Sequence, residues 1–231
     1  MKIITIGDLH GSNAWKEIDP ELWDRIIFIG DFVDSKELDS LTVLSNLEEI
    51  IQFKKNFPEK VILLWGNHDL AYFYGGHERH YCLGFKKKLL PILYSVFTSN
   101  RQLFQAAWQT GSYLWSHAGL TDKWYNLYLK EKIIPAENNL ADSLNRLFNE
   151  YYPPLYLIGA YRGGLHESGG IFWADRIETR PNPLGGYHQI VGHTKTGNGI
   201  LTFDDYRNDT SITYVDCLET KREFFELLID E

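Results

Sequence analysis

Five short apolar runs along the chain share one ending. Lys2–Ile6 runs into Gly7-Asp8-Leu9-His10-Gly11, Arg25–Ile29 into Gly30-Asp31, and Lys60–Trp65 into Gly66-Asn67-His68-Asp69. Ser112–Trp115 runs into Ser116-His117, and Tyr187–Val191 into Gly192-His193. Runs of four to six residues rich in Ile, Val, Leu and aromatics read as buried strands. Each is followed at once by an Asp, Asn or His. Ligands bind just outside the carboxyl ends of strands in sheets with helical crossovers, so five such strands of one sheet would aim their polar tips at one place.

Helical periodicity fills the gaps. Residues 38–56 set Leu41, Leu44, Leu47, Ile50 and Ile51 at helical spacing, and Pro58 stops the run. Residues 85–93, 102–108, 123–132 and 140–152 read as shorter helices, the last closed by Pro153-Pro154. The tail reads as a meander of strands over 199–203, 211–215 and 222–228, the last equally compatible with a helix. Glycine and proline crowd 159–186, which suggests ordered loops over a site. No repeat, low-complexity run or linker interrupts the chain, so one α/β domain over residues 1–231, more β-rich towards its end, is expected.

Composition narrows the function. The 231 residues are 44% hydrophobic and 15% aromatic, enough for a sizeable core and too much for disorder. Thirty-one acidic against 23 basic residues give a net charge of -8, which argues against a nucleic-acid-coating surface or a polybasic membrane anchor. Cys82 and Cys217 form no close pair, so neither a disulfide framework nor a zinc ribbon is expected. No apolar run reaches the roughly 18–20 residues of a membrane span. The start MKIITIGDLHG turns polar too soon for a signal peptide, and a soluble, cytoplasmic protein is the expectation.

Asp8 and His10 stand two apart just past a strand, so in extended conformation both side chains point the same way. Asp31 adds a carboxylate at the next strand end, and a carboxylate can bridge two cations. Asn67, His117 and His193 add an amide oxygen and two imidazoles. These six oxygen and nitrogen donors, with no thiolate, suit Mn, Fe or Zn, with Mg as a further candidate. Any one of these positions taken singly reads more simply as a turn or a hydrogen-bonded core histidine. The recurrence over five strand ends favours the metal.

The series GDLHG, GDFVD, GNHD, SHAGL and VGHT resembles the calcineurin-like metallophosphoesterases, above all their phosphoprotein phosphatase branch, and covers Asp8 to His193 in the family's order. The resemblance implies two mainly mixed β-sheets packed as a sandwich and flanked by helices. It implies two divalent metal ions, Mn first among them, one held by Asp8, His10 and bridging Asp31, the other by Asp31, Asn67, His117 and His193. A water activated between two such cations would attack phosphorus in line with the leaving oxygen. His68 then corresponds to the histidine that protonates the leaving group and Asp34 to the carboxylate that orients it.

The chain departs from the protein-phosphatase pattern where that branch carries phosphate-gripping arginines. Ser35 and Lys36 follow GDFVD in place of Arg-Gly, and Trp65 precedes GNH in place of arginine. Lys36 would supply a point charge without the bidentate fork. Arg162, Arg176 and Arg180 lie in the loop-rich stretch as candidate phosphate ligands, Arg162 first for its neighbouring glycines. GNHDL with HAG looks more like the diadenosine tetraphosphatase branch. The substrate is therefore expected to be a phosphorylated small molecule, a nucleotide or a phosphoprotein, with a nucleoside polyphosphate as the alternative. A non-catalytic protein-binding scaffold conflicts with the retained ligand set, and a nuclease with the acidic balance.

The segment 70–81 admits two readings, a lid whose aromatics stack on a base or simply core. His77, His80, His166 and His188 match no motif, and Lys86-Lys87-Lys88 reads as a solvated helix face.

Overall fold

The computed structural model describes residues 1–76, 82–134, 137–205 and 208–229. By their own contacts these form two compact units, Met1–Gln105 with Cys217–Glu231, and Ala106–Asp216. Each unit contains one mixed sheet of five strands.

In the first unit, β1 (Lys2–Ile6), β2 (Arg25–Phe28), β3 (Val61–Leu64) and β4 (Phe104–Gln105) run parallel, with Ile4 opposite Ile26, Ile27 opposite Ile62 and Leu63 opposite Phe104. β10 (Phe225–Leu228) closes the edge antiparallel to β1, with Leu228 opposite Lys2, so the tail segment that admitted either reading is a strand. Ile26, Ile27, Phe28 and all four residues of β3 are buried, as expected of parallel strands covered on both faces.

The crossover from β2 to β3 is α1 (Ser40–Asn56), whose first turn is capped by Asp39 accepting from the amides of Leu41 and Thr42 at 2.9 and 3.1 Å. It buries Val43, Leu47, Ile50 and Ile51, whereas Leu41 is 78% exposed and Asn46 is buried to accept from Trp15 Nε1 at 2.9 Å. The apolar stripe therefore lies one position away from the spacing that counted Leu41.

α2 (Asn67–Phe73) follows β3 after only Trp65 and Gly66, and α3 (Leu90–Ser99) precedes β4, with Pro91 in its first turn where no amide is needed. The shorter helix expected over 85–93 is thus a single 3-10 turn, Lys87–Leu89, running into α3.

The second unit orders its strands β5-β6-β7-β9-β8: β5 (Ala107–Thr110), β6 (Tyr113–Ser116), β7 (His188–Val191), β8 (Leu201–Asp205) and β9 (Thr210–Tyr214). β6, β7 and β9 are parallel, and β5 and β8 flank them antiparallel. Val191, Ile212 and Tyr214 form a buried cluster against Phe203.

Helices here are α4 (Asp122–Trp124), continuing as a π turn over Tyr125–Leu129, α5 (Leu140–Asn149), and the single turn α6 (Arg176–Thr179). Residues 102–108, expected as a helix, are instead the 3-10 end of a loop followed by β4 and β5. The ladder partners Leu63 for Phe104 and Trp115 for Trp108 override the helical preference of the Gln and Ala residues between them. The five strands with polar endings are also not members of one sheet. Three lie in the first sheet and two in the second. Among the described residues no helix is long and apolar enough to cross a membrane.

Candidate functional site

The three strand ends of the first unit are laced together through their backbones. The amides of Leu9 and His10 donate to the Asp31 carbonyl at 3.1 and 2.8 Å, and Gly11 donates to Phe32 at 3.1 Å. Asp69, fully buried, gathers three amides: Asp31 and Gly66 donate to its Oδ2 at 2.9 and 3.0 Å, and Phe32 to its Oδ1 at 2.9 Å. The Gly30 and Gly66 backbones pass so closely that a Cβ on Gly30, at φ +109°, would sit 2.6 Å from the Gly66 nitrogen. Only glycine fits there.

His10, Asp31 and Asp34 hold φ of +44°, +53° and +66°. Left-handed backbone at non-glycine residues costs about 1–3 kcal/mol each and gathers at functional sites. At His10 it also departs from the extended backbone that the spacing of Asp8 and His10 assumes.

One ligand atom from each of His10, Asp31 and His68 falls within 4.8 Å of the others. Asp8 is buried at the end of β1 but does not belong to that group. Because a carbonyl can only accept, His10 Nδ1 donates to Val33 at 2.8 Å, which leaves Nε2, 3.9 Å from Asp31 Oδ2, as its ligand atom. Burial pulls the His10 pKa below its ordinary value against the attraction of Asp31, which favours the neutral, ligating form. Asn67 Nδ2 donates to Cys82 Sγ at 3.1 Å, and an amide coordinates a cation through its oxygen. The donors thus fit a divalent cation.

His68 sits beside them and pairs with a second carboxylate. Its Nδ1 donates to Asp34 Oδ2 at 3.0 Å, since an ionised carboxylate can only accept. Burial depresses its pKa, but Asp31, the hydrogen bond to Asp34, and Asp69 outweigh that and raise it overall.

Lys36 is exposed and lines a cavity of about 310 Å³ together with His10, Ser12 and Thr42. Trp65, which stands where the protein-phosphatase pattern has arginine, is fully buried and stacks on Phe104 at 4.6 Å. It is core and cannot hold phosphate. Lys86 is no part of a solvated face, since its Nζ donates to the Ser35 carbonyl at 3.0 Å, while Lys87 and Lys88 are exposed. In 70–81, Leu70, Ala71 and Tyr72 are core, while His77 to Tyr81 lie outside the described residues.

In the second unit the candidates are His117 after β6, fully buried, and His193 after β7, at φ +61°, with ring centroids 5.0 Å apart. The Gly192 amide donates to the His117 carbonyl at 2.8 Å. Buried Gln189 in β7 clasps the loop after His117, accepting from Leu120 N at 2.8 Å and donating to Leu120 O at 3.0 Å.

Arg162 reaches the other loop. Its Nη2 donates to the His193 carbonyl at 3.2 Å and to Thr194 Oγ1, and its Nε pairs with Asp175 at 2.7 Å. Arg180 lies 4.1 Å over the Phe203 ring, and Arg176 opens α6. His188 accepts or donates at Ser211 Oγ, 3.0 Å away in the sheet, as a structural residue would.

Asp69, Gln189 and Asp175 were not singled out in the sequence. Two of them carry a signal: Asp69 as the last residue of GNHD, and Gln189 as a polar residue within an apolar strand.

The family model of the calcineurin-like phosphoesterases matches residues 1–196. The chain belongs to this family. No curated protein sequence matches it. Among solved structures, a cold-active protein-tyrosine phosphatase of the psychrophile Shewanella superimposes with a TM-score of 0.57 at 16% identity, over 98% of this chain and 75% of that one. A second structure of a cold-active protein tyrosine phosphatase gives 0.56 at 19% identity, over 98% and 73%. A protein serine/threonine phosphatase from Saccharomyces cerevisiae gives 0.49 at 18% identity, over 94% and 67%. At such identities the likeness is one of fold.

Proposed function

We propose that the chain is a dinuclear metal-dependent phosphoesterase acting on a phosphorylated small molecule, nucleotide or phosphoprotein, and that both units serve it as one metallophosphoesterase domain. Asp8, His10 and Asp31 would hold one cation, and Asp31, Asn67, His117 and His193 the other, with Mn the first candidate. Two such cations, when bound, activate water and stabilise charge on the phosphoryl oxygens.

The observation that carries the reading is the first unit's group of His10, Asp31 and His68 with the Asp34 pair behind it. His10 is held in the ligating tautomer by Val33. Asp31 is turned by its left-handed backbone and also accepts from the His68 amide at 2.9 Å. His68 then delivers a proton from Nε2 to the leaving oxygen while Asp34 holds its other nitrogen. Lys36 and Arg162 are the candidates to hold phosphate as substrate arrives. Arg162 already spends Nη2 and Nε on its neighbours, so it would act through Nη1. Arg180 instead lies over the Phe203 ring.

The buried Trp65 removes one phosphate-gripping arginine of the protein-phosphatase pattern, which favours a nucleoside polyphosphate as the alternative substrate. The test is hydrolysis by metal-stripped protein resupplied with Mn. The panel holds an aryl phosphate monoester, its diester, a phosphopeptide and diadenosine tetraphosphate. Mn-dependent turnover is expected, and the fastest substrate chooses the branch. Undiminished turnover without metal would overturn the proposal, and absence of bound Mn would leave a scaffold.

A further inference from the structure

Behind the Asp34–His68 pair stands a residue that no motif marks. Tyr72, on α2, the helix that GNHD itself opens, is fully buried, and its hydroxyl meets Asp34 Oδ1, the oxygen that His68 does not use. The direction of that hydrogen bond follows from the neighbours. The Lys86 amide can only donate, and it donates to the Tyr72 oxygen at 2.8 Å. An ionised carboxylate can only accept. The single phenolic proton therefore goes to Asp34, and burial together with Asp34 pushes the phenol pKa up, so it keeps that proton. The ring itself is held by Phe85, with centroids 4.7 Å apart, and Lys86 Nζ ties the same segment to the Ser35 carbonyl beside Asp34. Asp34 is thus fixed at both oxygens while its own backbone is left-handed.

We propose that Tyr72 is a positioning residue of the reaction: its hydroxyl fixes the Asp34 carboxylate so that His68 is aimed at the leaving oxygen. Tyr72 does not touch substrate. It acts through Asp34, and the inference rests on the assignment of His68 as the acid.

A residue that serves leaving-group protonation matters most when the leaving group is a poor one. An alkyl phosphate needs the proton, whereas p-nitrophenyl phosphate departs with far less help. Tyr72→Phe in the Mn-loaded full chain removes only the hydroxyl. Its kcat is expected to fall about tenfold further on an alkyl phosphate than on p-nitrophenyl phosphate, with KM on each nearly unchanged. His68→Asn should widen the same ratio more. On an Asp34→Asn background Tyr72→Phe should add nothing to the ratio. Phe85→Leu, which loosens the packing but keeps the hydroxyl, should leave the ratio at its wild-type value.

Equal losses on both substrates, no loss, or a ratio widened as much by Phe85→Leu would overturn the role of Tyr72. If His68→Asn itself fails to widen the ratio, the acid assignment is what has failed, and the inference falls with it.

Discussion

The two units fix their candidate ligand loops by opposite chemistry. In the first, a buried anion collects donors, as Asp69 draws the amides of Asp31, Phe32 and Gly66 to one carboxylate. In the second, a cation collects acceptors, as Arg162 binds the His193 carbonyl and Thr194 and is itself held by Asp175. The choice follows the backbone. Loops that leave strands and enter a helix, as at α2, present free N–H groups and need an acceptor. A loop whose carbonyl faces the anchor needs a donor. The burial differs as well: Asp69 is fully buried, whereas the Arg162 side chain is 25% exposed and partly solvated. The first anchor should therefore be the more costly one to disturb.

The largest expected effect tests whether Asp31 stands at the centre. Asp31→Asn should lower Mn-dependent kcat by about a thousandfold or more, since it removes a charge that would serve both cations. Steady-state assays with a folded-state check by circular dichroism decide it. Asp69→Asn comes next. Replacing one carboxylate oxygen by a donor should strand buried amides, cost about 3 kcal/mol in urea unfolding and lower activity about 10–100-fold. Arg162→Lys, losing the fork but keeping the charge, should cost about 1 kcal/mol and about tenfold in activity. If Arg162→Lys proves the more damaging, the contrast between the two anchors is wrong.

The smallest effect is electrostatic. In metal-free protein, NMR titration should show His68 losing its proton above its ordinary value of 6.5 and His10 below it. For His68 the folded pKa is the raised one, so its contribution to stability is complete below pH 6.5 and fades as pH climbs through the folded value. The reverse order of the two histidines would contradict the carboxylate environment described for His68.

Much of this was legible in the sequence, and the gaps have physical reasons. Strand endings such as Ile6-Gly7-Asp8 and Val191-Gly192-His193 could be read because an apolar run closed by a small residue is a local signal. The division of those strands between two sheets could not, because pairing of β6 with β7 joins residues over seventy positions apart. Residues 102–108 read as a helix because their partners lie outside the window: Phe104 pairs with the distant Leu63, and Trp108 with Trp115 across a tight turn. Asp69 was visible as the odd residue of GNHD, yet its role lies in amides contributed by residues 31 and 32, far away in the chain. Tyr72 read as one aromatic among several, and nothing local separates it from core.

In the proposed function one chain holds two cations. Metal content of the purified chain, stripped and reloaded with Mn and measured by elemental analysis against protein concentration, tests it most directly. Two Mn per chain are expected, falling to about one in a His193→Ala variant and lower still in Asp31→Asn. Two Mn retained by both variants, or none bound by the wild type, would contradict it.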